Sequence, residues 1–285
     1  MYWLPFAFLT AISLSTADAL SKRALKNTDG LVVVWVREGY ALPFLSLGFI
    51  FVPIPDLDKT FWLSVAGLVP LEIVALLMYI KAIKLSPLSL TVPFMALSPI
   101  FIILIAFVFL GEWPSRAGIV GIFFIAAGAY MLNASASSTG FLGPLKAVLK
   151  EPGSILMVGV AMIYSLTATL GKVAVTHSSP IFFGFFYPFT LTLVLTAFVI
   201  ARGKFRLVFS KPATFLPIGL CTATMMFAHF IAISLTQVAY MISVKRTSLL
   251  FSVLYGKILF NEVNIRERLL GSAIMLLGVF LIILF

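Results

Sequence analysis

Long apolar runs separated by short polar connections occupy the chain from one end to the other. Ten runs approach the roughly 20 residues that a helix needs to cross a hydrocarbon core about 30 Å thick. They lie near residues 2–21, 31–52, 60–80, 86–110, 115–133, 153–172, 180–201, 212–235, 238–260 and 264–285. The runs are continuous and about twice the length of a transmembrane β-strand, so helices rather than barrel strands are predicted. The connections leave no room for a soluble catalytic or sensor domain, and function is expected inside the membrane. The predicted fold is an all-α membrane protein of ten transmembrane helices.

Composition agrees with lipid as the main solvent: 61% of the 285 residues are hydrophobic, 11% are charged, and the mean hydropathy is +1.14, far from a soluble domain. The net charge of +10 has no folded basic face to serve nucleic acid, which is not expected as a partner. It follows topology instead. Of the 20 Lys and Arg, 14 flank odd-numbered connections, Lys22, Lys84, Lys150, Lys204 and Arg268 among them. Only Lys59, Arg116 and Lys172 flank even-numbered ones, while Arg37, Lys245 and Arg246 fall within spans. The positive-inside rule then puts odd connections in the cytoplasm and both termini outside. Residues Met1 to Leu20 lack the charged leader of a signal peptide and are read as a retained first span. The lone cysteine, Cys221, reads as a small buried hydrophobe.

The chain also repeats itself. Leu110-Gly111-Glu112-Trp113-Pro114-Ser115-Arg116 aligns with Phe260-Asn261-Glu262-Val263-Asn264-Ile265-Arg266, and the same offset of 150 pairs Lys22 with Lys172, Ser98 with Ser248, Gly121 with Gly271 and Gly128 with Gly278. A unit of five spans is odd, so the second copy must cross the membrane in the opposite sense. The expected organisation is two inverted five-helix repeats, residues 1–133 and 153–285, joined by a loop at 134–152 that holds Ser135, Ser137, Ser138, Gly140, Gly143 and Pro144. Glycines seven apart share a helix face and permit close backbone approach. Spans 5 and 10 either cross each other through these faces, or each stripe packs within its own half.

Ala82-Ile83-Lys84-Leu85-Ser86-Pro87, Leu97-Ser98-Pro99, Leu110-Gly111-Glu112, Gly121 and Gly128 resemble the repeated unit of EamA-type transporters of the drug/metabolite transporter superfamily. Val244-Lys245-Arg246-Thr247-Ser248, Phe260-Asn261-Glu262, Gly271 and Gly278 are similar to the same unit. The resemblance implies a multi-pass carrier in the cytoplasmic (inner) membrane with a central cavity, generally exporting amino acids, related metabolites or drugs. Several relatives have both termini in the cytoplasm, whereas the charge distribution here predicts the reverse and is followed. A monomer with pseudo-dimeric halves is expected.

The chemistry-bearing residues point the same way. Gly171-Lys172, Gly203-Lys204 and Gly256-Lys257 lack the Ser or Thr of a phosphate-binding loop, and His177 and His229 sit on separate segments, unsuited to a metal pair. Neither enzyme activity nor a cofactor is expected. Ionisable groups within spans are functional candidates because hydrocarbon penalises their charge. Glu72, deepest in span 3, suits a proton carrier or substrate contact, or is simply satisfied by a polar partner. Arg37 and Glu38 point about 100° apart on span 2, and Asp18 on span 1 lies at comparable depth. Asp18 and Arg37 are expected either as an ion pair or, with Glu38, as a cytoplasmic gate or binding contact.

Lys245, Ser248, Ser252 and Tyr255 on span 9 follow i, i+3, i+7, i+10 spacing and share one polar face, with Ser98 in the equivalent place on span 4. This face reads as a substrate-binding wall, with Lys245 on an anionic group, or as buried hydrogen bonding between helices. Arg246 is expected to pack or snorkel. His229 and its repeat mate Tyr79, expected toward opposite ends of the membrane, are gate or interfacial residues. Pro70, Pro93, Pro99 and Pro188 are expected to kink their helices. The resulting reading is a secondary transporter moving an amino acid, related organic anion or drug-like compound as an exporter by alternating access, with a proton as candidate coupling ion. The alternative is an intramembrane enzyme or flippase for a lipid-linked substrate, which needs clustered catalytic groups, whereas the acids here are dispersed over spans 1 to 3. A channel or receptor is the third class.

Overall fold

The computed structural model describes residues 2–49, 54–98, 100–102, 104–105, 116–132, 149–236 and 238–284. All regular structure among them is helical, and each predicted run carries helix. The elements are α1 (Trp3–Ala24), α2 (Gly30–Gly39), α3 (Leu42–Phe49), α4 (Lys59–Leu85), α5 (Leu88–Thr91), a 3-10 segment (Val92–Leu97), α6 (Arg116–Met131), α7 (Pro152–Thr176), α8 (Pro180–Ala201), α9 (Pro212–Leu235), α10 (Val238–Lys245), α11 (Ser248–Phe260) and α12 (Ile265–Leu284). Six stretches among the described residues are long and apolar enough to cross a membrane: α1, Gly30–Leu47, α4, α7, α8 and α9. Leu88–Ile102, Arg116–Gly128 and Ser248–Phe260 are shorter apolar helices. Large apolar side chains such as Phe123 and Ile258 point outward, as lipid contact allows.

Two spans are broken at positions that correspond under the repeat, the fourth where Pro93 is expected to kink it and the ninth where no break is expected. In the fourth, Pro93 removes a backbone donor, and the chain tightens into the 3-10 segment Val92–Leu97. In the ninth, α10 ends at Lys245 and α11 begins at Ser248. There the Thr247 N–H and hydroxyl both turn back to the Val244 carbonyl, at 3.0 and 2.8 Å, in place of a continuing helical ladder. Pro70 and Pro188 lie inside α4 and α8 without ending them. Pro99, Glu112 with its motif neighbours 110–115, and residues 134–148 of the connecting loop lie outside the described residues.

The repeat is visible in the hydrogen bonds. Lys22 donates to the carbonyls of Ile83 (3.0 Å) and Ser86 (2.6 Å), at the C-terminal end of α4. Its mate Lys172 donates to those of Ile233 (2.5 Å) and Thr236 (3.1 Å), at the C-terminal end of α9. In each case a cation satisfies carbonyls that the helix leaves without partners. The packing is reciprocal too: α1 lies on α9, α7 lies on α4, and α6 runs against α12. A Cβ at Gly128 would fall 2.5 Å from the Gly271 carbonyl oxygen, and one at Gly278 2.5 Å from that of Gly121. The glycine faces therefore meet across the two halves in antiparallel register.

Polar contacts sort the connections into two ends. Lys204 pairs with Asp29 at 2.7 Å, Lys211 donates to the Asn27 carbonyl at 2.7 Å, and Ser86 bonds Glu151, all linking odd-numbered connections. Asp58 pairs with His177 at 2.8 Å, linking even-numbered ones. Asp58 also caps α4; the Phe61 N–H and then His177 hold its carboxyl below the usual range.

Candidate functional site

A cavity of about 130 Å³ lies between the halves. Its walls follow the repeat: Leu14 with Tyr164, Arg37 with Tyr187, Tyr79 with His229, and Met95 with Lys245 all line it in corresponding pairs. The pairs match in position but not in chemistry. Among the lining residues the first half supplies both carboxylates, Glu38 and Glu72, and the second supplies Lys245, Arg246 and His229.

Arg37, the one cation from the first half, is already engaged. Its Nη1 donates to Asp18 Oδ1 at 2.7 Å, while the Tyr79 hydroxyl donates to Asp18 Oδ2 at 2.5 Å. The guanidinium lies 5.6 Å from the Tyr79 ring centroid. Asp18 is fully buried and stands behind the wall rather than in it. Glu38, next along α2, turns away from this pair, as a 100° step requires. It is 1% exposed, and its Oε2 has no hydrogen-bond partner among the described residues. Glu72 is reached by the hydroxyls of Thr167 and Tyr187 from the second half.

Lys245 ends α10 at the break and lines the cavity. No hydrogen bond or ion pair holds its ammonium among the described residues. Arg246 is buried, 4% exposed, so it does not snorkel. Its Nε and Nη2 donate to Ser98 Oγ at 3.0 and 2.6 Å, and Ser98 donates in turn to the Met95 carbonyl at 2.8 Å. Ser98 thus anchors a cavity arginine rather than lining the cavity itself.

The single polar face expected on span 9 is divided, because the helix breaks between Lys245 and Ser248. Those two residues line the cavity, whereas Ser252 and Tyr255 do not. Ser252 is buried with its hydroxyl unpartnered among the described residues, and the Tyr255 hydroxyl bonds Thr16 Oγ1 at 2.9 Å. Tyr79 and His229, expected near opposite ends of the membrane, share the cavity, since the inverted helices bring both into its walls. Tyr79 is 5% exposed, and His229 Nδ1 lacks a partner among the described residues. Tyr164, Thr167 and Tyr187 were not expected at all. A signal existed for Tyr187, which occupies the repeat position of Arg37.

On the even-numbered side the lining includes Gly171, Phe183 and Ile233, within about a turn or two of the ends of α7, α8 and α9. Toward the odd-numbered side it includes Tyr79 on α4, Ser248 on α11 and Val92, which directly follows α5.

The family model of the EamA-like transporter family matches residues 1–134 and 151–284. A solved structure described only as "Crystal structure of protein" superposes with a TM-score of 0.66 at 15% identity, over 99% of this chain and 96% of that chain; at that identity the likeness is one of fold. No curated protein matches. With both copies of the repeat matched, and several apolar helices of membrane-spanning length around a cavity that holds charged groups among apolar walls, the chain belongs to the EamA-like transporter family and is an integral, multi-pass membrane transporter of small solutes.

Proposed function

We propose that the chain is a secondary transporter carrying a small metabolite with an anionic group, an amino acid or related organic anion, and that Lys245 contacts that group. The observation that carries the reading is the Lys245 ammonium in the cavity, unpaired among the described residues. An uncompensated lysine at mid-membrane costs about 2.5 to 3.5 kcal/mol even on lenient scales, and a ligand carboxylate offsets that cost. Arg246, fixed by Ser98, supplies a second donor set beside it. Glu72 and Glu38 on the opposite half are the candidate proton carriers, with His229 beside them.

The two five-helix units, 1–133 and 153–285, act as the moving bodies of an alternating-access cycle, with 134–152 as their link, in a monomer with pseudo-dimeric halves. The charge asymmetry of the connections supports the cytoplasmic membrane as location, with the even-numbered side outside.

Counterflow in proteoliposomes against a panel of amino acids and organic anions tests the reading. Saturable exchange of carboxylated solutes, accelerated by a pH gradient, is expected. Flux that never saturates would mark a channel, and chemical conversion without translocation would mark an intramembrane enzyme.

A further inference from the structure

Between the cavity and the odd-numbered side, polar groups continue where the cavity does not. Along α11, Ser248 lines the cavity, Ser252 lies one turn beyond it with a buried hydroxyl that has no partner among the described residues, and Gly256 lies one turn further. These positions span about 12 Å of helix at 1.5 Å per residue. Tyr255 crosses the same route to Thr16 on α1. A buried hydroxyl with no partner is unfavourable in a permanently dry core, and it is accounted for if water reaches it in another state.

The route ends on one carboxylate. Asn261 adopts a left-handed conformation (φ 50) that ends α11. The Glu262 N–H turns back to the Gly256 carbonyl at 3.1 Å, which directs the Glu262 side chain across to the other repeat. There it accepts from the Leu88 N–H (2.8 Å), the Ser89 N–H (2.9 Å) and the Ser89 hydroxyl (2.5 Å). Lys22 stands 3.7 Å away and Arg268 3.5 Å away, and Arg268 also donates to Ser89 Oγ at 2.5 Å. Room for the carboxylate depends on Gly256, where a Cβ would fall 2.5 Å from Oε2. One acid thus ties α1, α5, α11 and α12 together across the exit, and α5 leads directly into the 3-10 segment whose Val92 and Met95 wall the cavity.

We propose that Glu262 is the positioning residue that holds the odd-numbered end of the cavity shut, and that each transport cycle breaks its ties to Lys22, Ser89 and Arg268 to open that end past Ser252. The inference rests on the alternating-access reading, but its test needs no substrate and so fails separately from it. Two single-cysteine reporters are made in a Cys221→Ser background and labelled with membrane-impermeant thiol reagents from each side. Ser252→Cys watches the closed route. Gly171→Cys watches the cavity toward the even-numbered side, where Gly171 lines it and an added Cβ meets no neighbouring group within 4 Å outside its own helix.

With Glu262 intact, Gly171→Cys reacts from the even-numbered side and Ser252→Cys is protected. Glu262→Ala should raise odd-side labelling of Ser252→Cys by about tenfold or more, the population shift that losing a charge-assisted hydrogen bond produces. It should lower even-side labelling of Gly171→Cys at the same time. Opposed changes distinguish a shifted two-state equilibrium from a loosened fold. Labelling that rises at both reporters, or changes at neither, overturns the proposal. If Glu262→Ala does not fold, Glu262→Gln, which keeps the shape and loses the charge, carries the same readouts. Failure of both variants to fold would make Glu262 a purely structural cap and equally overturn it.

Discussion

Gly128 and Gly271 meet backbone to backbone: a Cβ on either would lie within 2.8 Å of the other's carbonyl oxygen. This contact, with Gly278 against Gly121, is where the two inverted halves approach most closely along α6 and α12. The obstructing atoms include backbone carbonyl oxygens and nitrogens, which cannot swing aside as the Met275 side chain could.

Replacing Gly128 or Gly271 with Leu is therefore expected to destabilise the protein by about 1 to 3 kcal/mol or more, the usual range for overpacking, read as a lower midpoint of thermal unfolding in detergent. Gly171→Leu, facing open space, serves as the control and should be far milder. Equal stability of all three variants would mean that the halves do not pack through these glycines.

The buried Asp18–Arg37 pair makes a different prediction. Removing one partner leaves a charge without compensation, at a cost of about 3 to 5 kcal/mol. Asp18→Leu should thus be more damaging than the double variant Asp18→Leu/Arg37→Met, which removes both charges. A double variant as unstable as the sum of the singles would show that the two residues are not coupled.

At the odd-numbered end, Asp29 caps α2 by accepting from the Leu31 N–H at 3.0 Å and pairs with Lys204. Burial alone would raise its carboxyl, but the Lys204 hydrogen bond and the backbone donors outweigh it and hold the group below its ordinary 3.8. A depressed value in the folded state contributes stability above pH 3.8, lost as pH falls through the lower folded-state value. Asp29→Ala should lower stability at neutral pH by about 1 kcal/mol, as for other N-caps. The gap to wild type should close in acid. A gap that is constant with pH would assign the loss to packing alone.

Much of this architecture was legible in the chain because hydropathy and the 150-residue offset are long-range patterns that survive local irregularity. The glycine spacing marked the two faces, but only the structure decides that they meet each other rather than pack within each half. What was not legible depended on helix breaks. Nothing in Arg246-Thr247 announces a turn as Pro93 does, so Lys245 and Tyr255 read as one face when the break assigns them to different surroundings. Of the two places expected for Arg246, packing and snorkelling, the structure has the first, since snorkelling presumes a lipid-facing side that the buried Arg246 lacks. The tyrosines of α7 and α8 went unnoticed because an isolated Tyr in an apolar run is ordinary, and only its place opposite Glu72 distinguishes Tyr187. Tyr79 and His229 were separated by depth along their own helices, a measure that ignores how inverted repeats converge on one cavity.

On the proposed function, Lys245 holds the anionic group of the substrate. The most direct measurement is binding of a transported carboxylate and of its uncharged amide analogue to purified wild-type, Lys245→Met and Lys245→Arg proteins. Wild type is expected to prefer the carboxylate strongly, and Lys245→Met to lose that preference while its unfolding midpoint stays at or above wild type. Lys245→Arg should keep part of the preference because the charge survives with altered geometry. Carboxylate affinity unchanged in Lys245→Met would contradict the account.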